Sequence, residues 1–139
     1  MNLVLTVDFD DTLFSDPTTS SSGGLWIPTG ASAEPVVRVH NLVREKAKEG
    51  FDIHVVTFRR KEYISECWDL IKLYELPIIS VVSTEGKNKT PFLKELNSSL
   101  HIDDSVEVCL LAQQAGIDVL LVDWNQKDWN CTAELFNKI

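Results

Sequence analysis

Cysteine is scarce and scattered in this chain: Cys67, Cys109 and Cys131 are the three in 139 residues. An odd number without a recurring spacing gives no disulfide framework and no zinc-binding pattern. Positive charge is also in deficit, 13 Lys and Arg against 21 Asp and Glu, for a formal net charge of −8. Affinity built on neutralising a long run of phosphates is therefore disfavoured, and with it extended nucleic-acid binding, although one basic pocket on an acidic surface is compatible with these numbers. Long apolar runs are missing too. The opening Met1-Asn2-Leu3-Val4-Leu5-Thr6-Val7 is too short for a signal peptide and meets acidic residues at once. Since no later run approaches the length of a membrane span, a cytoplasmic protein without membrane partners is expected.

What is present is an ordinary globular composition, 44% hydrophobic and 24% charged, in a length that suits one domain over residues 1–139. Leu3 to Val7 is a short β-branched-rich run of the kind buried in a parallel sheet. From Ser15 to Ser32 the chain is rich in Ser, Thr, Gly and Pro around Leu25-Trp26-Ile27 and reads as one long loop. Glu34 to Glu49 has helical apolar spacing, Pro35 in its first turn and Gly50 as a stop. Phe51 to Val56 is a strand closing at Thr57, and Lys61 to Leu76 a helix stopped by Pro77. Ile78 to Val82, Leu100 to Ile102 and Val119 to Val122 complete the strands. Thr90 to Leu96, with Thr90 as N-cap, and Ser105 to Ala115 complete the helices. Alternation of this kind predicts an α/β, Rossmann-like domain: a five-stranded, mainly parallel sheet with helices on both faces.

Functional crevices in such sheets open at the carboxyl ends of the strands, and the reactive side chains fall there. The first strand runs into Asp8-Phe9-Asp10-Asp11-Thr12, the second ends at Thr57, the fourth runs into Asp103-Asp104, and Lys87 and Lys89 follow the third. Asp8 and Asp10, two residues apart, project to one side if the backbone stays extended. One carboxylate can attack phosphorus while the other protonates the leaving alcohol and then deprotonates water. A phosphoryl group approaching several carboxylates needs a hard cation, and Mg²⁺ suits oxygen ligands drawn from Asp8, the Asp10 carbonyl and Asp103, with Asp104 beside them. Thr57 and a lysine would then hold the phosphoryl oxygens.

These residues resemble the haloacid dehalogenase-like hydrolases. That superfamily opens with an apolar strand and Asp-x-Asp-x-Thr, matched by Asp8, Asp10 and Thr12. Its second motif is a Thr or Ser closing the next strand, matched by Thr57; its third is a lysine before a helix; its fourth is an acidic pair after an apolar strand, matched by Ile102-Asp103-Asp104. Lys89, just ahead of Thr90-Pro91, fits the third motif, with Lys87 and then Lys94 as alternatives. The resemblance implies a Mg²⁺-dependent phosphomonoesterase working through an aspartyl-phosphate on Asp8, with Asp10 as general acid and base. It also implies membership of the capless branch, because neither interval that carries a cap in other members is long enough here. In that branch, open sites take large substrates or are covered by a partner subunit, so a homo-oligomer is one expectation.

Around this core, Phe9, Phe58, Arg59 and Trp26 are the candidate substrate contacts. Arg59 and Arg60 serve equally well as solvated charges, Trp26 as an anchor for its loop, and Asp11 as a turn residue. Asp103 is read as the cation ligand, and Asp104 as support for the lysine or a cap for the helix that follows. His40, His54 and His101 are read as structural and remote from the crevice. A nucleotide or other small phosphorylated metabolite is the expected substrate. Two rivals stand beside it: a polynucleotide-end phosphatase, since the phosphatase parts of polynucleotide kinase-phosphatases have a similar Ile-Asp-Asp ending, and a catalytically silent binding module that keeps the fold.

Overall fold

The computed structural model describes residues 3–15, 33–122 and a short strand at 134–135. Trp26, most of the loop read from Ser15 to Ser32, Cys131, Trp124 and Trp129 lie outside the described residues. Five strands run parallel: β1 (Val4–Val7), then β4 (Asp52–Thr57), β5 (Ser80–Ser83), β6 (Leu100–Asp103) and β7 (Asp118–Leu121). They stand in the order β5-β4-β1-β6-β7, and β8 (Glu134–Leu135) adds an antiparallel sixth strand on β7. A separate two-residue ribbon pairs β2 (Phe14–Ser15) with β3 (Glu34–Pro35).

Helices α1 (Val37–Lys48), α2 (Ile64–Leu73), α3 (Thr90–Glu95) and α4 (Val106–Gln114) connect the parallel strands. Strand alternation divides the core between two helical layers. On one face Leu5, Val7, Ile53, Val55 and Ile102 pack with Val39 and Val43 of α1 and Cys67, Leu70 and Ile71 of α2. On the other, Val56, Val119 and Leu121 pack with Leu93 of α3 and Cys109 and Ala112 of α4. The expected α/β sandwich is therefore present, with an antiparallel edge strand beyond the five expected.

Two boundaries differ from the sequence reading. Glu34 and Pro35 are extended and paired with β2, and the helix begins only at Val37. A residue before proline is kept out of the helical region by the ring, which favours the extended course seen here. Likewise α3 has Lys89 at its N-cap position and no side-chain cap, leaving the Thr90 hydroxyl without a hydrogen-bond partner. Strand order reverses at β1: the chain first builds outward through β4 and β5, then returns to the other side for β6 and β7. A crevice opens at such a reversal, beyond the carboxyl ends of the two strands that flank it.

Candidate active site

Asp8 follows β1 at that reversal. Its backbone N–H donates to the Ile102 carbonyl at 2.9 Å, continuing the ladder between β1 and β6 and bringing Asp8 beside Asp103. The chain then turns back on itself: the N–H groups of Thr12, Leu13 and Phe14 all point at the Phe9 carbonyl, and Asp11 takes a left-handed backbone with φ 60°. This tight turn puts the Thr12 hydroxyl 3.1 Å from Asp8 Oδ2 and 3.4 Å from Asp104 Oδ1, so one donor serves two carboxylates.

Lys89 comes in from the start of α3. Its ammonium donates to Asp8 Oδ1 at 2.8 Å and to Asp103 Oδ2 at 2.7 Å, with only 1% of the residue exposed. Burial works against its charge, but the two carboxylates outweigh burial and hold the lysine above the usual range. Asp103 is held below the usual carboxylate range: burial would raise it, and the Lys89 charge and the hydrogen bond from His101 more than reverse that. Asp8 goes the other way, to about 7, pushed up by burial and by the Asp103 charge against the pull of Lys89. Asp104 rises to about 10 through burial and the charges of Asp8 and Asp103.

Asp8, Asp103 and Asp104 each bring a carboxylate oxygen to within 4.8 Å of the others. Three carboxylates crowd a pocket that holds one ammonium, and their mutual repulsion with burial is what pushes Asp8 and Asp104 up. A set of clustered, charge-crowded oxygens is a donor set that suits a hard divalent cation.

Asp10 lies apart from this cluster. Arg59 holds it in a fork, Nη2 at 2.7 Å from Oδ1 and Nε at 2.9 Å from Oδ2, while Nη1 donates to the Tyr63 carbonyl. The guanidinium lies over the Phe9 ring, 4.9 Å from its centroid, and is almost wholly buried. Arg59 is thus committed to Asp10, unlike the exposed Arg60, which reaches Glu62 at 3.9 Å. Phe9, read as a substrate contact, is a core residue whose side chain has no exposed surface to offer. Phe58 differs. It is 43% exposed, with the Lys89 ammonium 4.6 Å from its ring centroid. The Thr57 hydroxyl, buried at the end of β4, accepts the Arg59 N–H at 3.1 Å.

The structure thus brings Asp8, Thr12, Lys89, Asp103 and Asp104 together, with Asp10, Arg59 and Phe58 at their side. Asp103 stands in the carboxylate cluster as read, but it is Asp103 and not Asp104 that supports the lysine, while Asp104 faces Asp8 through Thr12. Helix α4 is capped by neither: the Ser105 side chain accepts from the Val108 N–H at 3.2 Å. Sequence reasoning also missed His101. It was expected far from the crevice, yet its Nε2 stands 2.8 Å from Asp103 Oδ2. His40 is structural as expected, binding the Leu13 carbonyl and packing on Phe14. Cys67 and Cys109 are buried thiols pushed up to about 12 by desolvation, inert at neutral pH.

No family model matches the chain. Over 87 residues, 61% of its length, it is 29% identical to a nucleotidase of Clostridium acetobutylicum, of which the match covers 45%. Two solved structures of a Pnkp1/Rnl/Hen1 complex, in one case described as an RNA repair complex, share its fold. They superpose with TM-scores of 0.70 and 0.71 over 88% of this chain at 12% identity, covering 46% and 42% of those chains. The chain thus spans less than half the length of each of these three proteins, and at 12% identity the structural likeness speaks for the fold alone. Among the described residues no helix is long and apolar enough to cross a membrane.

Proposed function

We propose that this protein is a Mg²⁺-dependent phosphomonoesterase of the haloacid dehalogenase-like type, with Asp8 as nucleophile. The observation that carries the reading is the Asp8 carboxylate at the sheet's reversal point, fixed by Lys89 and Thr12 and crowded by Asp103 and Asp104. In this reading Asp8 attacks phosphorus while Asp10, turned out of the Arg59 fork and carrying a proton taken up from solvent, gives that proton to the departing oxygen, leaving an aspartyl-phosphate on Asp8. Asp10 then takes a proton from water, which attacks the acyl phosphate and frees inorganic phosphate. Arg59 holds Asp10 in its fork until Asp10 turns to the leaving group. Lys89 and the Thr57 hydroxyl hydrogen serve the phosphoryl oxygens. Asp8 and Asp104, with Asp103 behind them, would hold Mg²⁺, which supplies the positive charge that lets a phosphate dianion approach these carboxylates.

A nucleotide is the substrate class favoured here. The partial likeness to a nucleotidase supports it, and Phe58, partly exposed with the Lys89 ammonium over its ring, offers aromatic surface next to the site against which a base can pack. The test is phosphate release with Mg²⁺ and with EDTA from a panel of nucleoside monophosphates, sugar phosphates and 3′-phosphorylated oligonucleotides. We expect release that EDTA abolishes, with mononucleotides leading the panel. Preference for the oligonucleotides would move the substrate to polynucleotide ends, and no release from any ester would leave a silent binding module.

A further inference from the structure

The mechanism above leaves a group of buried polar side chains without a task. Behind Asp103, on the face of the sheet covered by α3 and α4, Thr6 and His101 stand opposite each other across β1 and β6. Neighbouring strand residues on the other face, Leu5, Val7 and Ile102, are all apolar core. Both Thr6 and His101 are 0% exposed, so their polar atoms carry a desolvation cost that hydrogen bonds must offset. Those bonds form a chain. Ser98 Oγ lies 2.8 Å from Thr6 Oγ1, which lies 2.8 Å from His101 Nδ1. His101 Nε2 lies 2.8 Å from Asp103 Oδ2, the same oxygen that accepts from Lys89 at 2.7 Å, and Lys89 donates onward to Asp8.

We infer that His101 is a positioning residue for Asp8, acting through Asp103 and Lys89 and itself set by Thr6. The inference rests on the reading of Asp8 as the nucleophile. An ionised Asp103 has only acceptors, so Nε2 carries the hydrogen and His101 is a donor to it. With the Ser105 N–H on Oδ1 at 3.1 Å and His101 and Lys89 on Oδ2, both oxygens of Asp103 are fixed and its carboxylate cannot rotate. The place of the Lys89 ammonium, and through it the aim of Asp8 Oδ1, follows from that orientation. Strand periodicity makes the arrangement possible, because Thr6 and Asp8 share one face of β1, as His101 and Asp103 share one face of β6. Groups that orient a charged partner from behind in this way are worth about 10–100-fold in activity at metal sites.

The test compares His101→Phe, which keeps a ring and removes its hydrogen bonds, with Thr6→Val and Thr6→Ser, on the full chain with saturating Mg²⁺ and a nucleoside monophosphate. We expect His101→Phe to lower kcat by about 10–100-fold with KM little changed. Thr6→Val lowers kcat less, and Thr6→Ser restores it because the hydroxyl returns. In the double variant Thr6→Val/His101→Phe the loss is no greater than in His101→Phe alone, since residues acting in series do not add. Should His101→Phe fail to fold, the Thr6→Val and Thr6→Ser pair decides by the same kcat criterion, with the imidazole left in place. Wild-type kcat in His101→Phe or Thr6→Val with only the melting temperature lowered would overturn the inference and leave a purely structural histidine. A wild-type protein that hydrolyses no ester would instead overturn the phosphatase reading itself.

Discussion

An ammonium cut off from water stays charged only when anions replace the solvation it has lost, and Lys89 has two, at 2.7 and 2.8 Å. Taking the lysine away leaves those carboxylates facing each other in the same buried pocket. Lys89→Met should therefore destabilise the protein by about 3–5 kcal/mol, the usual cost of stranding a buried charge, and abolish turnover. Urea unfolding measures the first effect, and unchanged stability would mean that Asp8 and Asp103 are not the charged pair described. Sequence alone led to this lysine because it precedes the Thr90-Pro91 helix start; Lys87 and Lys94 are exposed. His101 and the fork of Arg59 on Asp10 were not legible in the same way. Alternation along a strand tells which residues face inward, not whether the neighbour they meet is apolar or reactive. A signal was there to read: Thr6 and His101 interrupt the apolar runs Val4–Val7 and Leu100–Ile102, and each stands two places before an aspartate.

At the scale of elements, the strands that carry chemistry were the easiest to find. β1, β4 and β6 are short, mostly apolar runs that lead into Asp8, Thr57 and Asp103, and the change from apolar to polar marks the sheet edge in the sequence itself. The ribbon of β2 and β3 and the edge strand β8 have two residues per strand, too few for any period to show. Pro35 was misplaced in α1 because the helical spacing of Val36, Val39 and Val43 extends back past the true start. Val36 is buried although its backbone is extended, so an apolar residue at helical spacing did not mark the helix start. Extended pairing of Glu34–Pro35 with Phe14–Ser15 closes the turn that begins at Asp8, and the Val36 N–H on the Leu13 carbonyl at 2.9 Å ties α1 to that turn. The element read as a helix start thus helps hold the loop that carries Asp10 and Thr12.

At the scale of the whole molecule, topology gathers residues 8, 57, 89 and 103 from four parts of the chain to one end of the sheet, on a protein whose formal net charge is already −8. The pocket gathers carboxylates beyond what its lysine can balance, and that has a consequence for stability. Asp8 at about 7 and Asp104 at about 10 are raised from 3.8, so without a cation the stability they confer is complete below pH 4. It is lost as pH rises through their folded values. A bound cation favours the ionised forms and offsets that loss. The rise in melting temperature given by saturating Mg²⁺ should therefore be larger at pH 8 than at pH 6. An increment that is equal at both pH values, or absent, would place the cation away from these carboxylates.

The central claim is that Asp8 bonds covalently to phosphorus, and Asp8→Asn tests it most directly. The amide keeps the side chain's shape, its one oxygen can accept from Lys89 while its nitrogen donates to the Thr12 hydroxyl oxygen, and one like charge leaves a crowded pocket, so the fold is retained. Measured as phosphate release from a nucleoside monophosphate with Mg²⁺, on protein whose circular dichroism and melting temperature confirm that it is folded, turnover should fall by at least about a thousandfold. A folded Asp8→Asn protein that keeps turnover within about tenfold of wild type would contradict the account.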